Sequence, residues 1–161
     1  MQYLIREMVS EDIEQVQAVA KSSWNATYEG IIPRPIQEKF LNLAYSDQMM
    51  KRRLRDSLLM VAVINQEIVG FCNFSSVTAK GEAELAAIYL YPDSQSKGIG
   101  TALLYEGIKN LHGVKHIYIN VEKENEVGRT FYEAKGFKVI KEYDDNFEGH
   151  ILKTVRMVLS L

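Results

Sequence analysis

Residues 88–104 run Ile88-Tyr89-Leu90-Tyr91-Pro92-Asp93-Ser94-Gln95-Ser96-Lys97-Gly98-Ile99-Gly100-Thr101-Ala102-Leu103-Leu104. The apolar residues up to Tyr91 predict a strand, Pro92-Asp93-Ser94 ends it, and a helix led by Gly98 follows. The first backbone N–H groups of a helix have no intrahelical acceptor. The stretch therefore predicts a strand, a loop and a helix N-terminus that together form an anion site.

Two glycines in this loop favour phosphate as the anion. Gly98 and Gly100 lack a Cβ atom, which lets a phosphate approach the main chain, and Lys97 and Thr101 can add side-chain donors. An ordinary strand-to-helix turn, with glycine only for its backbone geometry, is the alternative. A dinucleotide fingerprint needs Gly or Ala where Leu103 stands, and a nucleoside-triphosphate loop needs a Gly-Lys-Ser/Thr that is absent. With these two nucleotide-binding loops excluded, the loop would bind a phosphate group of another kind of ligand.

The hydrophobic period predicts the elements on either side of this loop. Strands are expected at 3–8, 58–64, 67–77, 83–91, 116–121, 137–143 and 151–159. The first helix is expected to have its N-cap at Ser10, with Glu11 and Asp12 in its first turn. Further helical regions are expected after Pro33 and Pro35 as far as Asp56, from Gly98 to Leu111, and from an N-cap at Asn125 to a C′ glycine at Gly136. The order β-α-α-β-β-β-α-β-α-β-β predicts an α/β protein with a mixed sheet and helices on both sides.

Local signals sharpen this outline at both ends of the chain. In the first helix, apolar residues recur at helical spacing: Ile13, Val16, Ala20 and Trp24. In the second helical region, one stripe is expected to carry Ile36, Phe40 and Leu43. Asn65-Gln66 and Asp144-Asp145-Asn146 are the expected turns of two hairpins.

Composition limits the chain to one domain, which we expect to span residues 1–161. With 161 residues, 47% of them hydrophobic, it has enough apolar side chains for a single core. The 19 Lys and Arg residues nearly balance the 21 Asp and Glu residues, so there is no positive field of the kind that attracts nucleic acid. Nucleic acid is not an expected partner.

Cysteine and histidine usage argues against a metal site. Cys72 is the only cysteine, so the chain has no intrachain disulfide and no thiolate cluster. His112 and His116 are four residues apart, but Gly113 interrupts the helix that would align them. The N-terminus lacks a signal-peptide pattern, and no stretch approaches the ~18 apolar residues of a membrane span. We expect a cytoplasmic protein without a metal or a membrane partner.

Two ordered motifs resemble the GNAT acetyltransferases. The run from Ile88 to Leu104 is similar to the family's strand, [Q/R]-x-x-G-x-[G/A] loop and helix. Downstream, Asn125 is followed by Phe131-Tyr132-Glu133-Ala134-Lys135-Gly136-Phe137, at the family's distance. The element order matches over essentially the whole chain. The resemblance implies the GNAT fold, a mixed and mostly antiparallel sheet of about six to seven strands flanked by about four helices.

The resemblance also implies acetyl-CoA as the cosubstrate. The backbone of residues 95–101 would hold the CoA pyrophosphate, the end of the strand would pair with the pantetheine arm, and Asn125 would position that arm. For Asn125 a helix cap alone is the alternative. The expected cofactor-binding residues are Ile88, Tyr89, Leu90, Gln95, Ser96, Lys97, Gly98, Ile99, Gly100, Thr101, Asn125 and Tyr132.

Three catalytic roles follow from the resemblance. Tyr132 is the expected proton donor to the CoA sulfur, with a core aromatic as the alternative, and the backbone N–H of Leu90 is the expected oxyanion donor. Glu84 is a candidate base, acting directly or through water, with a solvated strand-end carboxylate as the alternative. Asn120 stands where peptide-directed members often carry glutamate, which weakens a base of the ribosomal-protein type.

The acceptor side is indicated by Ser23-Trp24-Asn25-Ala26-Thr27-Tyr28-Glu29-Gly30, which is similar to the first helix and loop of bacterial polyamine acetyltransferases. Trp24 and Tyr28 could form an aromatic wall for a cationic amine, and Glu29 could pair with it. Two core aromatics and a surface acid are the alternative.

We therefore expect direct acetyl transfer, in a ternary complex, to a primary amine of a small molecule such as a polyamine. Acetylation of protein N-termini or lysines is the enzymatic alternative. A CoA-binding module without turnover and a phosphate-binding domain unrelated to CoA are alternatives of other classes. The sequence leaves a homodimer open.

Overall fold

The computed structural model describes residues 2–161, and within that range the chain forms seven strands and five α-helices. Their bounds are β1 Leu4–Glu7, α1 Ile13–Tyr28, α2 Arg34–Ala44, α3 Asp47–Asp56, β2 Leu58–Ile64, β3 Glu67–Phe74, β4 Glu82–Leu90, α4 Ile99–Lys109, β5 His116–Glu122, α5 Glu126–Ala134, β6 Lys138–Phe147 and β7 His150–Ser160. Short 3₁₀ turns at Ser10–Asp12 and Pro92–Ser94 precede α1 and the glycine loop. The predicted strand order along the chain is confirmed.

The seven strands form one sheet in the spatial order β1-β2-β3-β4-β5-β7-β6. Every neighbouring pair is antiparallel except β4 and β5, which run parallel. This arrangement confirms the expected mixed, mostly antiparallel sheet of the α/β class.

The parallel pair is short. β4 and β5 are in register only from Glu82 opposite His116 to Glu84 opposite Tyr118. Beyond that point β4 stays paired with β3 and β5 stays paired with β7, so the two strands separate. We call the gap between Leu85–Leu90 of β4 and Ile119–Glu122 of β5 the β4–β5 opening.

A β-bulge in β4 lies where this opening begins. Phe74 of β3 is opposite Leu85, whereas the preceding residue, Asn73, is opposite Ala87, so Ala86 is the extra residue. Leu85 packs against the core on one face of the sheet and Ala87 against the core on the other. The bulge thus reverses the alternation of β4, so that residues two apart on either side of Ala86 face opposite cores. Bulges next to functional sites often redirect side chains in this way.

Each face of the sheet carries its own apolar core. On the α1 side, Val16, Val19 and Trp24 pack with Phe71 and Ala87. On the α4 side, the buried residues are Ile99, Leu103, Leu104, Ile117, Ile119, Val121 and Met157, among others. The alternation in β5 means that Tyr118, Asn120 and Glu122 face the α1 side.

The predicted N-cap at Ser10 is wrong. Ser10 opens a 3₁₀ turn instead, and its hydroxyl contacts the carboxylate of Glu11 at 3.3 Å. The turn is held by Asp12, whose carboxylate accepts the Val9 N–H at 2.9 Å and pairs with Arg6 at 2.7 Å. Arg6 comes from β1, so a contact between elements decides where the helix begins.

The second helical region is two helices, α2 and α3. Ser46 separates them and caps α3 by accepting the Met49 N–H at 3.2 Å. The expected apolar stripe is also shifted, because Leu43 is 61% exposed while Gln37 and Leu41 are buried. Gln37 is tolerated inside because its amide donates to the carbonyls of Tyr28 and Ile32 at 3.2 and 2.8 Å.

One hairpin turn is confirmed and the other is wrong. Asn65 and Gln66 both have positive φ, as a two-residue hairpin turn of the mirror-image type requires. At the second hairpin the turn is Glu148-Gly149, with φ of 51° and 82°, and residues 144–147 belong to β6. A turn at Asp144-Asp145-Asn146 would need a left-handed backbone there, which glycine adopts at lower cost, so the turn forms at Gly149. The side chain of Asn146 stabilises it by accepting the Gly149 N–H at 2.9 Å.

Candidate active site

The glycine loop presents a row of unsatisfied donors at the start of α4. Gln95 donates its N–H to the carbonyl of Pro92 at 3.3 Å, but within residues 2–161 no backbone carbonyl accepts from the N–H groups of 96–101. Gly98, with φ of 83°, is the N-cap, and Ser96 also has positive φ. Exposed main-chain N–H groups at the positive end of a helix fit a diphosphate.

Gly98→Ala is expected to weaken acetyl-CoA binding about tenfold, because a left-handed backbone costs an alanine roughly 1–2 kcal/mol and the loop will relax away from it. A Cβ at Gly98 would meet no atom within 4 Å, so the effect is conformational. Gly113→Ala is the matched control: Gly113 has φ of 75°, equally open space, and a position in the α4–β5 loop. Isothermal titration with acetyl-CoA should separate them, and equal affinities for the two variants would contradict the assignment of the loop.

The end of β4 has a free hydrogen-bonding edge. Tyr91 donates its N–H to the carbonyl of Val69 at 2.9 Å, on the β3 side. Successive N–H groups of a strand point to opposite edges, so those of Leu90 and Ile88 point toward the β4–β5 opening. An extended arm that carries amide groups can pair with such an edge.

Gly100 brings this edge, the loop and α5 together. The site of a Cβ on Gly100 lies 3.4 Å from Cε1 of Phe131 and 3.5 Å from Cδ1 of Leu90. Ile99 is fully buried and anchors the first turn of α4 in the core on that side of the sheet. The predicted anion loop, the predicted oxyanion donor and the second motif are therefore neighbours in space.

Asn125 and Tyr132 belong to the same short helix. Asn125 caps α5 by accepting the Gly128 N–H at 3.0 Å, which confirms the predicted cap. Tyr132 is half-buried, with its ring 5.5 Å from the rings of Phe131 and Phe137. Burial, and the nearby phenol of Tyr89, raise the pKa of Tyr132 well above its ordinary value. Its phenol is therefore protonated at neutral pH and able to donate.

Tyr28 and Tyr89 belong to the core on the α1 side of the sheet and are close enough to Tyr132, which packs against the other core, to affect one another's pKa. Tyr89 of β4 accepts the indole N–H of Trp24 at 2.9 Å. Burial raises the pKa of Tyr28 far above its ordinary value, and the charges of Tyr89, Tyr132 and Glu122 act in the same direction. Tyr28 is therefore close enough to Tyr89, Tyr132 and Glu122 for their charges to act on its phenol.

Glu122, the last residue of β5, contributes the carboxylate of this group. Its side chain is buried, with 8% of the residue exposed, and Oε2 accepts the Glu124 N–H at 2.8 Å. Burial raises the pKa of Glu122. Within residues 2–161 no Lys, Arg or His nitrogen lies within the 4.0 Å of a salt bridge to it.

Glu84 is placed away from these groups. It lies at the closed end of the opening, six residues and roughly 20 Å along the strand from Leu90. Both of its carboxylate oxygens are paired with Arg156 of β7, which also donates to Asn120 at 3.0 Å. The structure therefore does not bring the candidate base Glu84 together with Tyr132, and its carboxylate is already engaged with a guanidinium.

The three expected acceptor contacts separate into core and rim. Trp24 is 6% exposed and stacks on Phe40 at 4.2 Å between ring centroids, so it is a core aromatic, the alternative that the sequence left open. Tyr28 is half-buried beside Trp24 at 4.6 Å. Glu29 is exposed and lines a cavity of about 480 Å³ together with residues 30–34, Gln37 and His150.

Cys72 takes no part in the site. It is fully buried, its Sγ donates to the carbonyl of Leu103 at 3.5 Å, and burial raises the pKa of the thiol to about 12. Within residues 2–161 no cluster of three or more His, Cys, Asp or Glu side chains is arranged to hold a metal ion. Over the same range no helix is long and apolar enough to span a membrane.

Glu122 and Arg156 were not predicted from the sequence. Glu122 could have been noticed as the last polar residue on one face of an alternating strand, three residues before the Asn125 cap. Arg156 had no local signal, because its link to Glu84 depends on the pairing of β5 with β7.

Comparisons with known proteins agree with this geometry. The family model described as the GNAT acetyltransferase family matches residues 2–137. A spermidine N(1)-acetyltransferase from Thermoplasma acidophilum is 32% identical over 84% of this chain and 88% of its own length. An uncharacterized N-acetyltransferase, YuaI, from Bacillus subtilis is 31% identical over 89% and 84%. The crystal structure of the PaiA N-acetyltransferase of T. acidophilum with coenzyme A superposes with a TM-score of 0.89, at 28% identity, over all of both chains.

Proposed function

The chain belongs to the GNAT acetyltransferase family and is an acetyl-CoA-dependent N-acetyltransferase, and from that premise we propose that its acceptor is the primary amine of a small molecule such as a polyamine. The observation that carries the proposal is the cavity of about 480 Å³ that Glu29, Gln37 and His150 line. The relative named as a spermidine acetyltransferase supports the same acceptor class.

The cosubstrate would be held by backbone groups more than by side chains. The free N–H groups of 96–101 fit its diphosphate, and the free edge at Ile88–Leu90 fits its amide-bearing arm. Asn125, which caps α5 three residues after the end of β5, would keep the arm in place. When bound, acetyl-CoA supplies the thioester, and the chain positions it.

Two groups would act on the thioester. The Leu90 N–H points into the opening and would donate to the carbonyl oxygen as negative charge develops there. Tyr132, kept protonated by burial, would give its proton to the departing sulfur. Neither role needs a covalent acyl-enzyme, and the buried thiol of Cys72 offers no nucleophile.

The size of the acceptor follows from how α2 meets the β6–β7 hairpin. Phe40 lies 5.3 Å from Phe147 between ring centroids, and Lys39 pairs with Glu148 at 2.8 Å. These contacts join α2 to the hairpin near the cavity that Glu29 and His150 line. A cavity walled in this way suits a flexible amine chain better than a folded protein surface.

An amine panel tests the proposal. CoA thiol release should be measured with spermidine, aminoglycosides, amino acids and peptides with free N-termini. We expect the highest kcat/KM for spermidine or another linear amine, because such a flexible chain can enter a cavity of about 480 Å³ and carries an ammonium that Glu29 can pair with. Activity confined to peptides would overturn the small-molecule assignment and establish the peptide alternative in its place.

A further inference from the structure

Glu122 is a buried carboxylate without a cationic partner. Two other acids that are at least partly buried do have one: Asp12 has Arg6 at 2.7 Å, and Glu84 has Arg156. Glu122 accepts the Glu124 N–H instead, within a loop that also directs the Asn125 N–H to the Glu122 carbonyl at 3.0 Å. Burying an unpaired carboxylate costs free energy, which is offset where a cationic ligand completes the pair.

The register of the sheet places Glu122 across the opening from the reacting end of β4. Tyr118 is opposite Glu84, and Glu122 is four residues further along β5. The residues four positions beyond Glu84 on β4, allowing for the bulge at Ala86, are Ile88 and Tyr89. They precede Leu90, whose N–H points into the opening. Glu84 is at the other end of the same strand.

The groups around Glu122 come from three other elements. Tyr28 of α1 is near enough to Glu122 for the carboxylate charge to raise the pKa of its phenol, and Tyr132 raises that pKa as well. His150 of β7, which lines the cavity beside Glu29, lowers the pKa of Glu122. The Glu124 N–H lowers it too, whereas the Glu124 charge raises it. Thr154 is the residue opposite Glu122 on β7. The Glu122 carboxylate thus interacts both with a residue of that cavity and with Tyr28, the neighbour of Tyr132.

We propose that Glu122 is the proton acceptor of the reaction, a carboxylate that binds the ammonium of the acceptor and removes one of its protons. This inference rests on the proposed acetylation of amines. Alkylamines have a pKa near ~10.4 and arrive protonated, so a base must free the nitrogen lone pair. Glu122 does so directly and takes the place that the sequence analysis gave to Glu84.

The proton and electron balance is complete with the groups present. One N–H bond of the ammonium breaks and its proton moves to a Glu122 oxygen, while the freed lone pair forms the C–N bond to the acetyl carbon. The C–S bond breaks, and the sulfur takes the phenol proton of Tyr132. A second amine proton restores Tyr132, and Glu122 returns its proton to solvent.

The test compares Glu122→Gln with Glu84→Gln over a range of pH. Gln keeps an oxygen that can accept the Glu124 N–H, so that Glu122→Gln preserves the loop. The acceptor is the best amine from the panel, and acetyl-CoA titration verifies that both variants bind the cosubstrate. Near pH 7 we expect kcat/KM for the amine to fall about 100-fold in Glu122→Gln and less than about threefold in Glu84→Gln.

The pH profile distinguishes a base from a structural residue. In the wild-type enzyme kcat/KM should be flat between the raised pKa of Glu122 and the pKa of the amine. In Glu122→Gln only the neutral amine reacts, so kcat/KM should climb about tenfold per pH unit toward ~10.4. A loss that is equal at every pH, or no loss, would overturn the inference, as would the loss appearing in Glu84→Gln instead.

The two proposals can fail separately. If the panel finds turnover only with peptides, the small-amine proposal fails, and the same two variants are measured on the peptide N-terminus. If small amines turn over and Glu122→Gln keeps the wild-type pH profile, only the role of Glu122 fails. Absence of turnover with every amine would overturn both.

Discussion

Replacing Tyr132 by Phe is expected to lower kcat by about 100-fold to 1,000-fold, with the Kd for acetyl-CoA within about twofold of wild type. The phenol is the one part of the side chain that the substitution removes. Ring contacts with Phe131 and Phe137, both at 5.5 Å, remain, so the helix should keep its place. Without the phenol, the thiolate has to leave unprotonated. Steady-state kinetics and acetyl-CoA titration measure the two quantities.

Tyr105→Phe is the matched control for this variant. Tyr105 is a helical tyrosine on α4 with 53% of its surface exposed, outside every group described for the site. It should leave kcat unchanged. Wild-type turnover in Tyr132→Phe would remove the acid role, and a parallel loss of acetyl-CoA affinity would make Tyr132 a binding residue.

Trp24→Ala is expected to lower the free energy of unfolding by about 3–5 kcal/mol, the usual result of truncating a buried aromatic. Trp24 is 6% exposed, stacks on Phe40 at 4.2 Å and donates to Tyr89 at 2.9 Å. The variant loses the packing and also leaves the Tyr89 oxygen without its donor. Urea unfolding followed by circular dichroism measures the change.

Trp24→Phe separates packing from substrate contact. It keeps an aromatic ring in the core and removes the indole N–H, for which we expect a loss of about 1–2 kcal/mol. Because Trp24 is a core residue, the KM for the amine should stay within about twofold of wild type. A large rise in KM with little change in stability would show that Trp24 is part of the acceptor wall after all.

Local motifs were enough to predict the glycine loop and the ends of α5. The helix N-terminus at Gly98, the cap at Asn125 and the C′ glycine at Gly136 are each specified by residues within one helical turn. Their signals do not depend on distant parts of the chain. The sequence therefore placed Gly98, Asn125 and Tyr132 on the correct elements.

The acceptor side could not be predicted in the same way. Whether Glu84 or Glu122 lies at the wide end of the β4–β5 opening depends on the register of a parallel pair and on one bulge at Ala86. Both are long-range properties that a one-residue shift would reverse. The pairing of Glu84 with Arg156 likewise joins residues 72 positions apart. The turn at Glu148-Gly149 was missed for a similar reason. Asp144-Asp145-Asn146 carry the stronger local turn signal, but the pairing of β6 with β7 places them in a strand.

The short β4–β5 pairing also has a consequence for the lifetime of the protein. Two parts of the sheet, β1–β4 and β5–β7, are joined by hydrogen bonds over only three residue pairs. An arm that pairs with β4 inside the gap would supply some of the missing rungs and tie the halves together. By mass action such a ligand stabilises the native state by a free energy that grows with the logarithm of its concentration. The enzyme would then be most resistant to proteolysis when it is saturated with acetyl-CoA.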